Sequence, residues 1–313
     1  MVALKKVSDE ELIAAFKTYG SPQKVAQVLG IDVGTVYRRR AAIKDVSLPS
    51  FAARQHTIAN TYIPDNRRVI SHTVDNGHVF IASDCHYWPD EETVAHKAFV
   101  SLLTEFKPKT IILNGDVFDG ARISRHAALM GTNPPTPKQE IEACQDRLTE
   151  IANASKNATK FWTYGNHDTR LFNYIATHAD ALVEFSDLFA YFPGWHTGWR
   201  VDINNSVVIK HRWHNGQHAT YNNVLKAGKS IVTGHLHKLM VTPWSDYNPG
   251  RRYGVDTGTL AEPGGDQFVY VEENPVNWCS GFAVLTFKNG MLLPPELCEV
   301  INGVAYFRGE KVG

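Results

Sequence analysis

Five short stretches of the sequence hold residue types suited to binding metal ions. They are Asp84 and His86 in SDCHYWPD, Asp116 and Asp119 in GDVFDG, and Asn166, His167 and Asp168 in GNHD. His211 in VVIKHRWH and His235 and His237 in GHLH complete the set. Carboxylate and amide oxygens mixed with imidazoles suit Mn²⁺, Fe or Zn²⁺ and leave coordination positions for substrate and water. One such pair decides little, since an aspartate can cap a turn and a histidine can sit in a loop. The case rests on the set and on where its members stand.

Each stretch follows a short apolar run: HVFIA, TIIL, KFWT, SVVIK and KSIVT. Between them lie segments of helical period, among them EETVAHKAFVSLLTEF, KQEIEACQDRLTEIANA and DTRLFNYIATHA. Strands alternating with helices predict an α/β fold, in which ligands gather beyond the carboxyl ends of the strands. Strand alternation would turn Asp84 and His86 to one side and Cys85 to the other. The glycines beside several of these residues would permit sharp turns. At the fourth strand end His214 competes with His211, which is preferred because it directly ends the apolar run.

The ordered set D-x-H, GD-x-x-D, GNHD, a strand-end His and GHxH resembles the calcineurin-like metallophosphoesterase superfamily over roughly residues 78–290. The resemblance implies a two-sheet mixed β-sandwich flanked by helices, with two divalent metal ions, Mn²⁺ first and Fe or Zn²⁺ as alternatives. By motif, Asp84, His86 and His237 would hold one ion, Asn166, His211 and His235 the other, and Asp116 would bridge them. His167 would be the proton donor, its ring positioned by Asp168. Asp119 would order the loop or a ligand imidazole. Two such ions can clamp a phosphate and generate hydroxide from a shared water.

The 313 residues are 43% hydrophobic and 20% charged, with zero formal net charge, as expected of a soluble globular protein. Neither a signal peptide nor a bilayer-length apolar stretch is read from the sequence. Four dispersed cysteines without CxxC spacing are expected to be reduced thiols, placing the protein in the cytoplasm without a membrane partner. Residues 1–45 hold eight Lys or Arg against five Asp or Glu, a net +3 balanced by −3 elsewhere. Within them, Ser8 with Glu11 forms a capping-box pattern, and three short helices are predicted. The spacing Ala26, Gly30, Val36 resembles a helix-turn-helix, whose second helix would present Thr35, Tyr37, Arg38, Arg39 and Arg40, beside Asp32 and Gly34, to DNA. Packing or dimerisation is the other use of such a module. The expected organisation is a small all-α helix-turn-helix domain at 1–45, a linker or packing arm at 46–71, and the phosphoesterase domain at 72–313.

GDVFDG and GNHD differ from the phosphoprotein phosphatases of this superfamily, which carry an Arg where Gly120 stands and a Glu where Asp168 stands. GDVFD is closer to its nuclease and phosphodiesterase branches, and the combination resembles phage and prophage phosphoesterases. The expectation is a phosphodiesterase or nuclease acting on DNA. The alternatives are a hydrolase of a small phosphoester or cyclic nucleotide with a module for homo-oligomerisation, and a DNA-binding regulator with an inactive enzyme domain. His126 with Arg122 and Arg125 could reach phosphate, and the YFPGWHTGW cluster could stack a base or simply pack.

Overall fold

The computed structural model describes residues 7–19, 22–43, 69–125, 132–247 and 250–312. The chain divides into two compact units, Met1–Tyr62 and Ile63–Gly313. Of the expected linker at 46–71, residues 46–68 lie outside the described residues, as does His126. The last three linker positions instead belong to a strand of the larger unit.

The first unit contains α1 (Asp9–Tyr19), α2 (Pro22–Leu29) and α3 (Val33–Ala42). Its entry is a reciprocal cap: the Ser8 N–H donates to Glu11 Oε2 at 2.8 Å, and the Glu11 N–H to Ser8 Oγ at 3.1 Å. Helix α2 stops at Gly30, whose φ of 68° lets the Ile31 N–H reach back to the Ala26 carbonyl at 3.1 Å. Leu12, Ala15, Phe16, Val25, Ala26 and Val36 form a small core of their own. Asp32, expected to face DNA, caps α3 by accepting the Thr35 N–H at 3.1 Å. Arg39 is likewise engaged at home: Nη1 donates to the Val7 carbonyl at 2.7 Å and Nη2 pairs with Asp9. This use competes with the expected phosphate contact, because the guanidinium ties α3 to the start of α1. Arg38 is exposed, with Nη2 on Thr35 Oγ1 at 3.2 Å, while the side chains of Tyr37 and Arg40 lie outside the described ones.

The second unit begins with β1 (Val69–His72), β2 (Gly77–Ala82), α4 (Val94–Phe106), β3 (Thr110–Leu113), α5 (Pro137–Ala154), β4 (Thr159–Thr163) and α6 (Arg170–His178). It continues with β5 (His196–Gly198), β6 (Arg200–Ile203), β7 (Val207–Ile209), α7 (Ala219–Ala227), β8 (Ser230–Thr233), β9 (Leu239–Trp244) and β10 (Arg252–Thr257). It closes with β11 (Gly281–Lys288), β12 (Met291–Leu292), β13 (Glu296–Ile301), β14 (Val304–Phe307) and β15 (Glu310–Val312). One mixed sheet runs β1-β6-β7-β8-β10-β9; the other runs β15-β14-β13-β11-β2-β3-β4-β5, with β12 paired to β11.

Alternation along the strands separates two apolar layers. Val79 and Ile81 of β2, Ile112 of β3 and Phe161 of β4 join Val201, Val207, Ile209, Val232 and Val255 between the sheets. Phe80, Ala82, Ile111, Leu113 and Trp162 point the other way, against Phe99 and Leu103 of α4 and Cys144 and Leu148 of α5. Helix α7 lies so close to β10 that a Cβ on Gly254 would stand 2.1 Å from the Thr220 carbonyl oxygen. The result is two mixed sheets flanked by helices. β2, β3 and β4 are mutually parallel in one sheet, β7 and β8 in the other. Their carboxyl ends deliver the candidate site.

Candidate metal centre

All five expected strands exist, and their ends converge. Ligand-type atoms of Asp84, His86 and His237 lie within 4.8 Å of one another, as do those of Asp116, His211 and His235, and those of His86, Asp116 and His167. Asp84 Oδ1 is 3.2 Å from His237 Nε2, and Asp116 Oδ2 is 3.0 Å from His211 Nε2 and 3.9 Å from His167 Nε2. His211, not His214, reaches Asp116; the His214 ring stacks on Trp213.

The local reason for convergence differs from the strand argument. Strand β2 ends at Ala82, and Asp84 and His86 lie beyond it with φ of 51° and 41°. Asp116, His235 and His237 also have positive φ, so five of the expected ligands occupy a left-handed region that costs non-glycine residues energy. Hydrogen bonds hold this backbone in place: Asp84 N–H to the Gly115 carbonyl, His86 N–H to the Asp116 carbonyl, and Thr259 Oγ1 to the Asp84 carbonyl at 2.6 Å. Two of the motif glycines supply room rather than a turn. A Cβ on Gly165 would lie 2.0 Å from Asp116 Oδ1, and one on Gly234 would lie 2.5 Å from Asp84 Oδ2.

Each carboxylate is held by one oxygen and offers the other. Asp84 Oδ2 accepts the His235 N–H at 2.8 Å and the Ser83 hydroxyl at 2.5 Å; Asp116 Oδ1 accepts the His167 N–H at 2.8 Å. Asp119 Oδ1 lies 2.8 Å from Nδ1 of both His86 and His167, and the Asn114 carbonyl lies 2.7 Å from His211 Nδ1. An imidazole donating from Nδ1 presents the Nε2 lone pair, the state a metal ligand needs. Asp84 Oδ1, His86 Nε2, Asn166 Oδ1, His211 Nε2 and His237 Nδ1 are buried without a hydrogen-bond partner. Such groups are costly to leave unsatisfied, and hard oxygens with imidazole nitrogens are what a divalent ion takes. The residues present therefore fit divalent metal.

The electrostatics agree. Burial pushes the Asp84 carboxyl up, but His237 and His211 outweigh it and hold it down at about 2. Asp116 is likewise raised by burial and lowered further by His211 and His167, ending well below the usual carboxylate range. Burial disfavours protonation of His211, yet Asp116 and Asp84 raise it to about 10, while burial and His211 depress His235 to about 4.

Asp168 departs from its expected role. Its carboxylate accepts the backbone N–H groups of Asp116, Val117, Phe118 and Gly165 and the Trp162 indole N–H, at 2.8–3.2 Å. It makes no hydrogen bond to the His167 ring, which Asp119 orients instead. Five donors converging on one buried carboxylate fix the loops after β3 and β4. Asp119 orients two imidazoles, those of His86 and His167.

Several residues come to the site without having been singled out. Ser83 Oγ bonds Thr257 Oγ1 at 2.6 Å as well as Asp84. Glu140 accepts the Gly120 N–H at 2.5 Å; burial and Asp119 push its carboxyl up to about 8. Arg170 is partly buried: Nη1 donates to the Asp119 carbonyl at 2.9 Å and Nη2 lies 3.0 Å from His167 Nε2. Its Cβ and Cδ would be 3.2 and 3.3 Å from a Cβ at Gly120, so the side chain passes over that glycine. Phe192 and Trp195 of the YFPGWHTGW cluster pack against Trp162, and Trp199 packs against Tyr164, so these rings serve the core. His72, His78 and His96 bond Thr110, Thr286 and Tyr87 with Glu150, away from the site.

A sandwich of two mixed sheets whose strand ends gather Asp, Asn and His around buried unpartnered donors defines a metallophosphoesterase. Residues 77–239 match the model of the calcineurin-like phosphoesterase family, and the chain belongs to that family. The family implies divalent metal ions. Gene 54 proteins of Mycobacterium phages L5 and D29 are each 25% identical over 236 residues, 69% of this chain and 91% of theirs. Among solved structures, Vps29 from Entamoeba histolytica with Zn²⁺ has a TM-score of 0.40 at 16% identity, covering 75% of this chain and 98% of its own. A novel archaeal phosphodiesterase gives 0.38 at 14%, covering 71% and 99%. The phosphoesterase YfcE from E. coli gives 0.33 at 14%, covering 70% and 97%. No helix among the described residues is long and apolar enough to cross a membrane.

Proposed function

We propose that the protein is a dinuclear metal-dependent phosphodiesterase. The observation that carries the reading is the pair of Asp-centred groups, Asp84 with His86 and His237 and Asp116 with His211 and His235, with His167 between them and Arg170. Asp84, His86 and His237 would hold one ion, Asn166, His211 and His235 the other, and Asp116 both; Mn²⁺ is the first candidate. Two divalent ions, when bound, supply Lewis-acid polarisation of the phosphate and a water of lowered pKa. The chain's own groups do the rest. Asp119 fixes the His167 ring through Nδ1, so Nε2 is the atom that delivers a proton to the departing alkoxide. Burial opposes the charged ring, but Asp116 and Asp119 raise its pKa, which favours the protonated donor. Arg170 Nη2 can only donate, so its contact takes up the Nε2 lone pair here; with substrate bound the guanidinium would donate to a phosphate oxygen instead, leaving Nε2 to carry the proton.

The diester is DNA in the first reading, supported by the exposed Arg38 on a compact helical unit and by motif likeness to nuclease branches. A second reading, a small nucleotide diester, is favoured by the exposed acids Glu262, Asp266, Glu272 and Glu273 in 261–279, a stretch without Lys or Arg. The complete donor set opposes an inactive regulator. The test is a substrate panel with Mn²⁺: single- and double-stranded DNA, RNA, cyclic nucleotides, and nitrophenyl mono- and diesters. Diester turnover well above monoester turnover is expected. Hydrolysis of monoesters alone would overturn the diesterase reading.

A further inference from the structure

Residues 261–279, beyond the family-matched region, are clamped at both ends to the metal-ligand segments. The Ala261 N–H donates to the Asp84 carbonyl at 3.4 Å and the Cys279 N–H to the His237 carbonyl at 2.8 Å. Both ends are therefore pinned beside the site. Phe268, buried, packs with ring centroids 5.2 Å from His86, 5.3 Å from His237 and 5.0 Å from Trp278. Trp278 covers His237 at 4.6 Å, and Tyr270 follows Phe268 at 6.2 Å. Tyr270 is 56% exposed.

We infer that Tyr270 and Trp278, backed by Phe268, form a stacking subsite for the nucleobase of a nucleotide-containing substrate. The inference rests on the phosphodiesterase reading and specifies its substrate class. Aromatic faces beside a phosphate site bind any base through its π-face without reading sequence. The flanking acids Glu262, Asp266, Glu272 and Glu273 are all exposed and uncompensated within the segment. They repel a densely charged duplex far more than a ligand bearing one phosphate. The ligand is thus a mononucleotide unit, free or at the end of a single strand.

The experiment titrates the full chain, loaded with Mn²⁺, with adenosine 5′-monophosphate and with ribose 5-phosphate, which differ only by the base. Adenosine monophosphate is expected to bind at least about tenfold more tightly. Tyr270→Ala and Trp278→Ala should each shrink that ratio, and Tyr270→Phe should retain it. Tyr270 is exposed, so its variants report even where a change at Trp278 disturbs the fold. Equal dissociation constants, or a ratio unmoved by either alanine, would overturn the subsite. A diester assay on the same protein separates the two readings. Base-dependent binding without hydrolysis keeps the subsite and sinks the phosphodiesterase, and hydrolysis with equal dissociation constants does the reverse.

Discussion

Asp119 Oδ1 lies 2.8 Å from His167 Nδ1, and the same oxygen lies 2.8 Å from His86 Nδ1. One carboxylate thereby sets the tautomer of a candidate metal ligand and of the candidate proton donor.

Replacing it with Asn is expected to lower both metal affinity and kcat by about 10–100-fold, the usual cost of losing such a partner. The pH profile carries the sharper signature. Asp119 is among the charges that raise the His167 pKa, so removing its charge lowers that pKa. A general acid must be protonated, so the alkaline limb of kcat should move to lower pH in Asp119→Asn. An unmoved limb, measured on a diester with a poor leaving group, would show that His167 does not donate the proton.

Asp116 stands between the two groups, its carboxyl held far below the ordinary range by His211 and His167 against the effect of burial. Asp116→Asn keeps the shape but removes the charge that offsets repulsion between two cations. Elemental analysis is expected to find both ions lost from the purified variant. His211, raised to about 10 by Asp116 and Asp84, must shed a proton to ligate. Metal binding should therefore release protons and weaken as pH falls, readable by calorimetry in buffers of different ionisation enthalpy. Full occupancy of Asp116→Asn would remove the bridging assignment.

The positions of the ligands were legible because apolar runs and helical periods alternate, and the residue after each run is a strand end. The reason Asp84 and His86 meet was not: the strand stops at Ala82 and left-handed backbone turns them inward. The work of Asp168 was hidden too, because its five donors come from β4 and the loops after β3 and β4, brought together only by the sheet. Gly165 and Gly234 read as turn formers, whereas their function is clearance for Asp116 and Asp84. Residues 261–279 have no periodicity, so nothing local announces that Phe268 and Trp278 wall the site. In the helical unit the run of three arginines suggested a uniform phosphate-binding face, but Arg39 turns back to Val7 and Asp9.

Asp168→Asn tests structure rather than chemistry. Asn retains one oxygen but turns an amide N–H₂ toward backbone donors, leaving several buried N–H groups without an acceptor. A loss of about 3–5 kcal/mol is expected, as for other broken buried charge networks. Chemical denaturation measures it. The metal-loaded folded fraction should keep the His167 pH limb, whereas loss of that limb at unchanged stability would return Asp168 to the catalytic group.

The two arginines of α3 should separate binding from folding. Arg38 is exposed, its bond among the described residues going to Thr35, whereas Arg39 links α3 to the segment before α1. If the helical unit tethers the enzyme to DNA, Arg38→Ala leaves its helicity intact. It also lowers the slope of log affinity against log salt by about 0.9 for each duplex phosphate contact removed. Arg39→Ala should instead lower the melting temperature of the helical unit, followed by circular dichroism, and weaken DNA binding only as the unit loosens. Deleting residues 1–45 should spare hydrolysis of a nitrophenyl diester, since every candidate ligand lies at or beyond Asp84. An Arg38→Ala protein that binds duplex DNA with the same affinity and salt slope as the parent would end the tether proposal at that residue. If the truncated protein also matched the parent, the helical unit would have no part in DNA binding.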